Sequence, residues 1–472
     1  METLPSSAGS SPAEEQELFR IEGHGIDAIP EAERRGRPRD LGFIWAGAFI
    51  NYASLLTASL LTSFFGLGVW DGLAAVLTGS IAAAILLGLL SNTGPASGLP
   101  QVVFTRGVFG LRGARLGAFL TLFLAVGWFA VDSVIAAQAG VQLLDLAGAA
   151  AIASRAAFPL VVLIAGVSVL VAVYGHRTIQ VFETFGAIVF LVLSLVLFVA
   201  LAKGFHWSSG PSVHGADYPG AFVLGFMVCF ALVASWYPFA SDYSRYLPAG
   251  SSRFGVTLWP VLGIALPMLV LGLFGLLIPT IDPKLAADPN GGVLSIVTRH
   301  APLWVSVPFF LFVILGEIWA NYLDVYTAGL VALTMGIRLR RWQTALGCGV
   351  LGALLSSYAV VFHDFHSAYE QFLILTYLWA PAWAAVVLLS FFFVFGPQPK
   401  AALLAWAAGT LLSLLFVNYP NIFPGIHALN QPLIGALHQA DLSGIVSALV
   451  AAAVYLALRS RTPSTQRRAE VR

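Results

Sequence analysis

Trp128 and Asp132 lie four residues apart inside an apolar run, so at helical spacing both face the same side. A second acidic stretch, VILGEIWANYLDVYTAGL from Val313 to Leu330, carries Glu317, Asn321 and Asp324 at i, i+4 and i+7, which puts all three on one stripe. A third, LVASWYPFASDYSRYLP from Leu232 to Pro248, takes an apolar helix that begins near Tyr218 into Trp236 and Pro238, then meets Asp242 and Arg245. An ionised Asp only accepts hydrogen bonds, so Asp132 suits a ligand that presents N–H groups or a positive charge. A carboxyl taken out of water also holds a proton more readily, so acids in apolar runs are candidates for carrying one. An interruption such as Trp236 to Pro238 has its own meaning. In hydrocarbon an unpaired backbone group costs several kcal/mol, and broken helices are tolerated only where they line a cavity or pack in protein. Substrate sites of secondary transporters are built on such breaks.

The elements that must position these residues follow from composition. Of the 472 residues, 58% are apolar and only 10% charged, with a mean hydropathy of +0.85. A soluble domain is about one quarter charged, so this is an all-α polytopic membrane protein. Residues 1–40 are rich in Ser, Pro, Glu and Arg and lack the apolar core of a signal peptide, which predicts a cytosolic, mostly disordered tail. Runs long enough to cross a hydrocarbon core at about 20 residues each then follow at 41–65, 70–92, 116–146, 157–174, 180–202, 219–240, 255–279, 303–334, 342–361, 369–395, 400–417 and 442–459, called spans 1 to 12 below. A short cytosolic tail, 461–472, closes the chain. With the amino terminus inside, twenty Lys and Arg fall on inner segments, and four, Arg155, Lys203, Lys284 and Arg299, fall outside. That asymmetry predicts cytoplasmic termini in a cell (plasma or inner) membrane. Five spans are an odd number, so a repeat of five plus five, 41–202 and 219–395, has inverted topology, with spans 1 and 6 as equivalents and spans 11 and 12 (400–459) outside it. The break in span 6 has only a softer counterpart in span 1, at Phe49 to Ser54, where Asn51 interrupts the run without a proline.

Several segments resemble one family. Glu22 to Arg34 has an acid, Gly-Ile, Ile-Pro and then an Arg; GPASGLPQVVFTRGVFG spans Gly94 to Gly110; Gly127-Trp128 lies in span 3; ASDYSRYLP runs from Ala240 to Pro248; and Tyr369 to Gly396 carries a central proline, Pro381. In this order they resemble the nucleobase:cation symporter-1 family, and most its purine and cytosine permease branch. The resemblance implies a LeuT-like fold, alternating access and a planar nitrogen heterocycle as cargo. It also implies roles. Trp128 and Trp236 stack on the two faces of the ring, with Ser235 where the family has the Gly of a Gly-Trp pair. Asp132 stands where the family has a polar amide that reads the ring edge, a departure that favours cargo with an amino group and a ring N–H, or a cation, over a carbonyl-rich ring such as uracil. Asp324 occupies the place of a substrate-binding Asn, and Asn51 that of an Asn beside the unwound part of span 1. Sodium-coupled members place two hydroxyl residues where Ile318 and Trp319 stand here, so the resemblance favours H+ over Na+, with Glu317 or Asp324 as proton carrier.

Other features have plainer readings. The Gly- and Pro-rich loop Gly94 to Arg106 suits close turns and orients span 3. Asp242 and Arg245, three apart, are gate or structural residues that pair with each other or across an inner gate. Glu183 follows Arg177 near the inner surface as an interfacial acid. His363, Asp364 and His366 make a weak metal spacing in an outer loop, with no Cys or further acid to complete it. Cys229 and Cys348 lie in apolar runs, where a thiol packs as a small hydrophobe. No cluster of nucleophile, base or metal ligands suggests an enzyme, and no repeated pore ring or carbonyl filter suggests a channel. The sequence therefore predicts a proton-coupled importer of cytosine or a purine, with vitamin B6, hydroxymethylpyrimidine or allantoin as alternative cargo. It predicts no cofactor, no nucleic acid and no obligate protein partner, only the cargo and the bilayer.

Overall fold

The structure, a computed structural model, describes residues 26–174, 176–337, 341–362, 364–393, 397–419 and 422–458. Both outer tails, His363, and the side chains of Arg177 and Glu183 lie outside the described residues. Every regular element among the described residues is a helix. Span 1 comprises Pro38–Phe49 and Tyr52–Ser63, span 2 Val69–Ser91, span 3 Arg106–Leu146, span 4 Ala150–Tyr174, span 5 His176–Leu201 and span 6 Tyr218–Ala234 with its continuation. Span 7 is Arg253–Leu277, span 8 Leu303–Met335, span 9 Arg341–Phe362, span 10 Phe365–Phe392, span 11 Pro399–Ser413 and span 12 Ser443–Leu458. Nine helices among the described residues are long and apolar enough to cross a membrane, and the bent pair of span 1 makes a tenth. The remaining two expected spans are present as shorter apolar helices, Leu346–Val361 and Ser443–Leu458.

The spans sort into two bundles. Spans 1, 2, 6 and 7 pack on one another, and so do spans 3, 4, 8 and 9. Span 5 lies against spans 8 and 1, span 10 against spans 6 and 3, and spans 11 and 12 pack together on span 10. Each bundle takes corresponding members from the two halves, as a five-plus-five arrangement requires. Without a hydrophobic drive between helices in lipid, close approach rests on small residues. A Cβ on Gly79 of span 2 would meet the Phe226 carbonyl of span 6, and one on Gly275 of span 7 would meet the Leu55 carbonyl of span 1.

Both spans are interrupted, but the sharper break lies in a different span from the one the prolines indicate. In span 6 the helix tightens into a 3-10 turn at Tyr237–Phe239 and resumes at Ala240–Ser244, so that Gly215–Ser244 continues as one span. Pro238 sits in the first positions of that turn, where a missing N–H and a φ fixed near −65° are tolerated. Span 1, by contrast, bends by 62°. Ile50 leaves the helical region (φ −85°, ψ 70°) and Asn51 is extended (φ −143°, ψ 172°). The softer interruption is therefore the sharp one.

The end of the amino-terminal segment is also ordered, against the expectation of a disordered tail up to residue 40. Ile29 is 1% exposed and its N–H donates to the Gly98 carbonyl at 3.0 Å, while the Gly36 N–H donates to Tyr246 at 3.1 Å. Arg34 donates to the carbonyls of Ile29 (2.8 Å) and Pro95 (3.0 Å). The strap joins the loop after span 2 to the end of span 6, two of the segments that carry the family resemblance.

Candidate substrate site

The bend in span 1 is held by its own side chain. The Asn51 amide donates to the Ala48 carbonyl at 2.8 Å and its oxygen accepts the Ser54 N–H at 2.9 Å. It thereby satisfies one backbone group on each side of the gap, as an N-cap does for a helix start. The opening beside it is a cavity of about 860 Å³, its mouth included, walled by Gly47 to Ser54 of span 1, Trp128 and Asp132 of span 3, Gly186, Ala187 and Phe190 of span 5, Leu232 and Trp236 of span 6, and the Glu317 to Asp324 face of span 8. Five chain segments far apart in sequence thus meet at one place.

Two tryptophans bound it. Trp128 is 9% exposed and stands edge-on to Phe372 of span 10 (5.2 Å between centroids, 89°) and to Tyr369 (6.1 Å, 67°). Gly127 makes this possible, because a Cβ there would strike the Phe372 ring. The Trp128 Nε1 is buried without a hydrogen-bond partner among the described residues. Trp236 leans on Trp45 (5.7 Å, 82°) and Phe239 (5.9 Å, 71°), which fixes its ring at the cavity wall.

The polar wall is acidic. Asp132 is 4% and Glu317 3% exposed, and the two carboxyls line the cavity from spans 3 and 8. Asp324 lies two turns further along span 8 and keeps one buried carboxyl oxygen without a partner among the described residues. None of the described residues lining the cavity is Lys, Arg or His. Nor do any three of the described His, Cys, Asp and Glu residues converge as metal ligands.

Trp128, Asp132, Trp236, Asn51, Glu317 and Asp324 all line this one cavity. Ser235 does not. It is 1% exposed, its hydroxyl donates to the Leu232 carbonyl at 2.8 Å, and it stands off the cavity wall because the helix register turns it inward. Asn321, on the predicted stripe, is fully buried and donates to Ser133 (3.0 Å) and Ser168 (3.1 Å), tying span 8 to spans 3 and 4. Asp242 and Arg245 lie in the strap region instead. Asp242 accepts the Gln101 N–H at 2.8 Å, and Arg245 donates to the Tyr246 hydroxyl at 3.3 Å. In the outer loop Asp364 caps span 10 by accepting the Ser367 N–H at 2.7 Å, and His366 stacks on Phe64 with centroids 3.7 Å apart.

Sequence reasoning missed Tyr52, Phe190 and Gly186 as lining residues, and singled out Trp319 only for lacking a sodium-binding hydroxyl. Tyr52 lines both this cavity and a smaller one walled by Phe64, Gln138, Asp288, His366 and Tyr369. A Cβ on Gly186 would meet the Trp319 ring, so the glycine lets that indole lie across span 5 at the cavity edge. Only the position of Tyr52, directly after Asn51, gives a signal in the sequence.

Residues 28–398 match the family described as permease for cytosine/purines, uracil, thiamine, allantoin. The chain belongs to this family. It is a transporter rather than an enzyme, in the purine-cytosine branch of the nucleobase:cation symporters. Among curated relatives, this permease is 26% identical over 393 residues to a putative purine-cytosine permease, YxlA, of Bacillus subtilis, covering 80% of each chain. It is 24% identical to the purine-cytosine permease fcyB of Emericella nidulans over 79% of this chain and 74% of that one. With the vitamin B6 transporter TPN1 of Saccharomyces cerevisiae it shares 22% identity over 70% of this chain and 59% of that one. Among solved structures, the inward-facing conformation of Mhp1 superposes with a TM-score of 0.69 at 16% identity, over 93% of this permease and 94% of that chain. Mhp1 closed on bromovinylhydantoin gives 0.67 at 16% identity, over 96% and 99%. Likeness at that identity shows the LeuT-like fold.

Proposed function

We propose that this permease imports cytosine or a purine together with a proton. One observation carries the reading: two tryptophans and three carboxyls face a single cavity at a helix break, with no basic lining residue among those described. Trp128 and Trp236 offer flat apolar faces, and stacking of a base on an aromatic side chain contributes about 1–3 kcal/mol. Asp132 and Asp324 accept from an amino group and a ring N–H, a pattern that cytosine and adenine present and uracil lacks. Asn51 still has one donor and one lone pair beyond its two backbone partners, enough for one further contact. Ser235 drops out of the binding set.

Proton coupling is supported by the Asp132 and Glu317 pair. Both are buried at the cavity, with no basic residue among its described lining, and carboxyls inside a membrane mark proton relays, so the site offers a place for the coupling ion beside the cargo. Trp319, where sodium-coupled members have a hydroxyl, gives a sodium ion no side-chain oxygen. Alternating access then needs the bundle of spans 1, 2, 6 and 7 to rock against that of spans 3, 4, 8 and 9 around the fixed cavity. We take residues 41–202 and 219–395 as the two repeats, with both termini in the cytosol, on the twenty-to-four excess of basic residues.

The acidic wall also suits a vitamin B6 type ring, and one relative bears that name. The test is uptake of labelled cytosine by cells expressing the chain in sodium-free buffer, with purines, uracil, pyridoxine and allantoin as unlabelled competitors. Uptake above the external concentration that survives without sodium, collapses with a protonophore and is blocked by purines is the expected result. No cytosine uptake from protein shown to reach the membrane refutes the nucleobase assignment, and competition by pyridoxine alone moves it to the vitamin.

A further inference from the structure

One wall of the cavity is set by a contact between two spans. Three glycines line the cavity, Gly47 of span 1, Gly186 of span 5 and Gly316 of span 8. A Cβ on Gly47 or Gly316 would meet nothing within 4 Å, so at both positions the wall ends at backbone and the space in front belongs to the chamber. Gly186 differs, because a Cβ there would run into the six-membered ring of Trp319. The space that a span 5 side chain would take is thus filled by an indole from span 8. Beside it span 5 adds Ala187 and Phe190 to the lining, and Phe190 stacks on Phe309 with ring centroids 5.6 Å apart. The helix of span 8 fixes where this indole stands. At 100° per residue, Trp319 lies about 160° around the helix from Glu317 and about 140° from Asp324. Gly316, Ala320 and Leu323 fall between them, and all six residues line the cavity. The acids and the indole therefore form opposite edges of one face, and a ring whose N–H groups meet the acids turns its far edge toward Trp319.

We infer that Trp319, seated on Gly186, sets the upper size of the cargo: it closes the chamber at the far edge of the ring, admitting a bare heterocycle and refusing the same ring with a bulky group on that edge. This rests on the reading of the cavity as the cargo site and adds a dimension that the acids do not read. The indole cannot withdraw from an oversized cargo, because the span 5 backbone at Gly186 stands directly behind it. Packed side chains yield little to added volume. The glycine in turn decides how deep the indole sits. A side chain at position 186 pushes the ring toward the chamber, where there is space, and so lowers the size limit. Size is then selected by a residue pair that touches none of the cavity acids' hydrogen-bonding partners on the cargo.

The test is equilibrium binding of cytosine, uracil, adenine and pyridoxine to the purified full-length chain. Each is compared with the same ring carrying a phenyl group at a carbon that leaves its N–H groups free, such as 5-phenylcytosine. Wild type should bind the phenyl form at least about tenfold more weakly than the bare ring, the lower end of what a tight apolar pocket achieves, and Trp319→Ala should bring the two within about twofold. Gly186→Ala should weaken the bare ring as well, and Gly186→Ala combined with Trp319→Ala should recover it, since the displaced indole is then gone. Thermal unfolding in the same detergent separates packing from selection. A Trp319 that only holds spans 5 and 8 together lowers the melting temperature when removed and leaves the ratio of bare to phenyl ring unchanged. Trp319→Leu takes the place of the alanine variant if that one does not fold. An unchanged ratio in the folded Trp319 variant, or a wild-type chain that binds both forms alike, overturns the inference. The cargo assignment is read from which bare ring binds: size selection on pyridoxine alone refutes only the nucleobase reading, cytosine binding without size selection refutes only this inference, and binding of none of the four bare rings refutes both.

Discussion

Replacing Asn51 by Ala tests whether the bend in span 1 builds the site. The substitution removes two hydrogen bonds, one to Ala48 at 2.8 Å and one from Ser54 at 2.9 Å. A lost N-cap costs about 1 kcal/mol, and a second neutral hydrogen bond contributes about 1 kcal/mol more. Together they remove about 2 kcal/mol from the bent form, which is about 30-fold in its population relative to straighter forms. Cargo that binds only the bent form loses affinity by at most that factor. Asn51→Ser keeps a cap oxygen and gives up the bond to Ala48, so it should recover about half the loss on a logarithmic scale. The assay is equilibrium binding of labelled cargo to purified protein, paired with thermal unfolding in the same detergent. An Asn51→Ala variant with affinity within about twofold of wild type and an unchanged melting temperature would refute the reasoning, because the cap would then hold nothing in place.

Three further outcomes follow from the geometry. Trp128→Ala should weaken cargo binding by about 1–3 kcal/mol, the worth of one stacked base, while Trp128→Phe keeps most of it; equal binding by all three proteins would exclude stacking at this face. Asp132→Asn adds a donor where wild type only accepts, so the ratio of uracil to cytosine in competition should rise by tenfold or more, and an unchanged ratio would remove Asp132 from the edge-reading role. Gly275→Val places a side chain against the Leu55 carbonyl. Overpacking there should cost about 1–3 kcal/mol and lower the melting temperature, with Gly275→Ala falling between the two.

The spans were legible because hydropathy is a property of twenty residues at a time, and errors at the ends cancel. Among the described residues, Leu346–Val361, which lies within the longer helix Arg341–Phe362, and Ser443–Leu458 are apolar stretches below a full crossing. The acids were legible for a related reason: Asp132, Glu317 and Asp324 are conspicuous in apolar runs, and their helical spacing turns them to a common side. The relative sharpness of the two breaks was misjudged because proline is the residue one looks for. Pro238 fits a continuing 3-10 turn, whereas Asn51 stops a helix by offering its own amide to the backbone, and no local pattern separates that from an ordinary buried Asn. Ser235 was lost to register, since one step from Trp236 on a helix is a turn of 100°. Gly186 under Trp319 joins residues 133 positions apart, and only the tertiary packing of spans 5 and 8 brings them together.

Tyr52 is 2% exposed and belongs to the walls of both cavities. It is also the first residue after the cap, so its ring is aimed by the same two hydrogen bonds that hold the bend. One side chain placed by the cap thus borders both compartments, so the residue that ends the bend is also shared by the two walls.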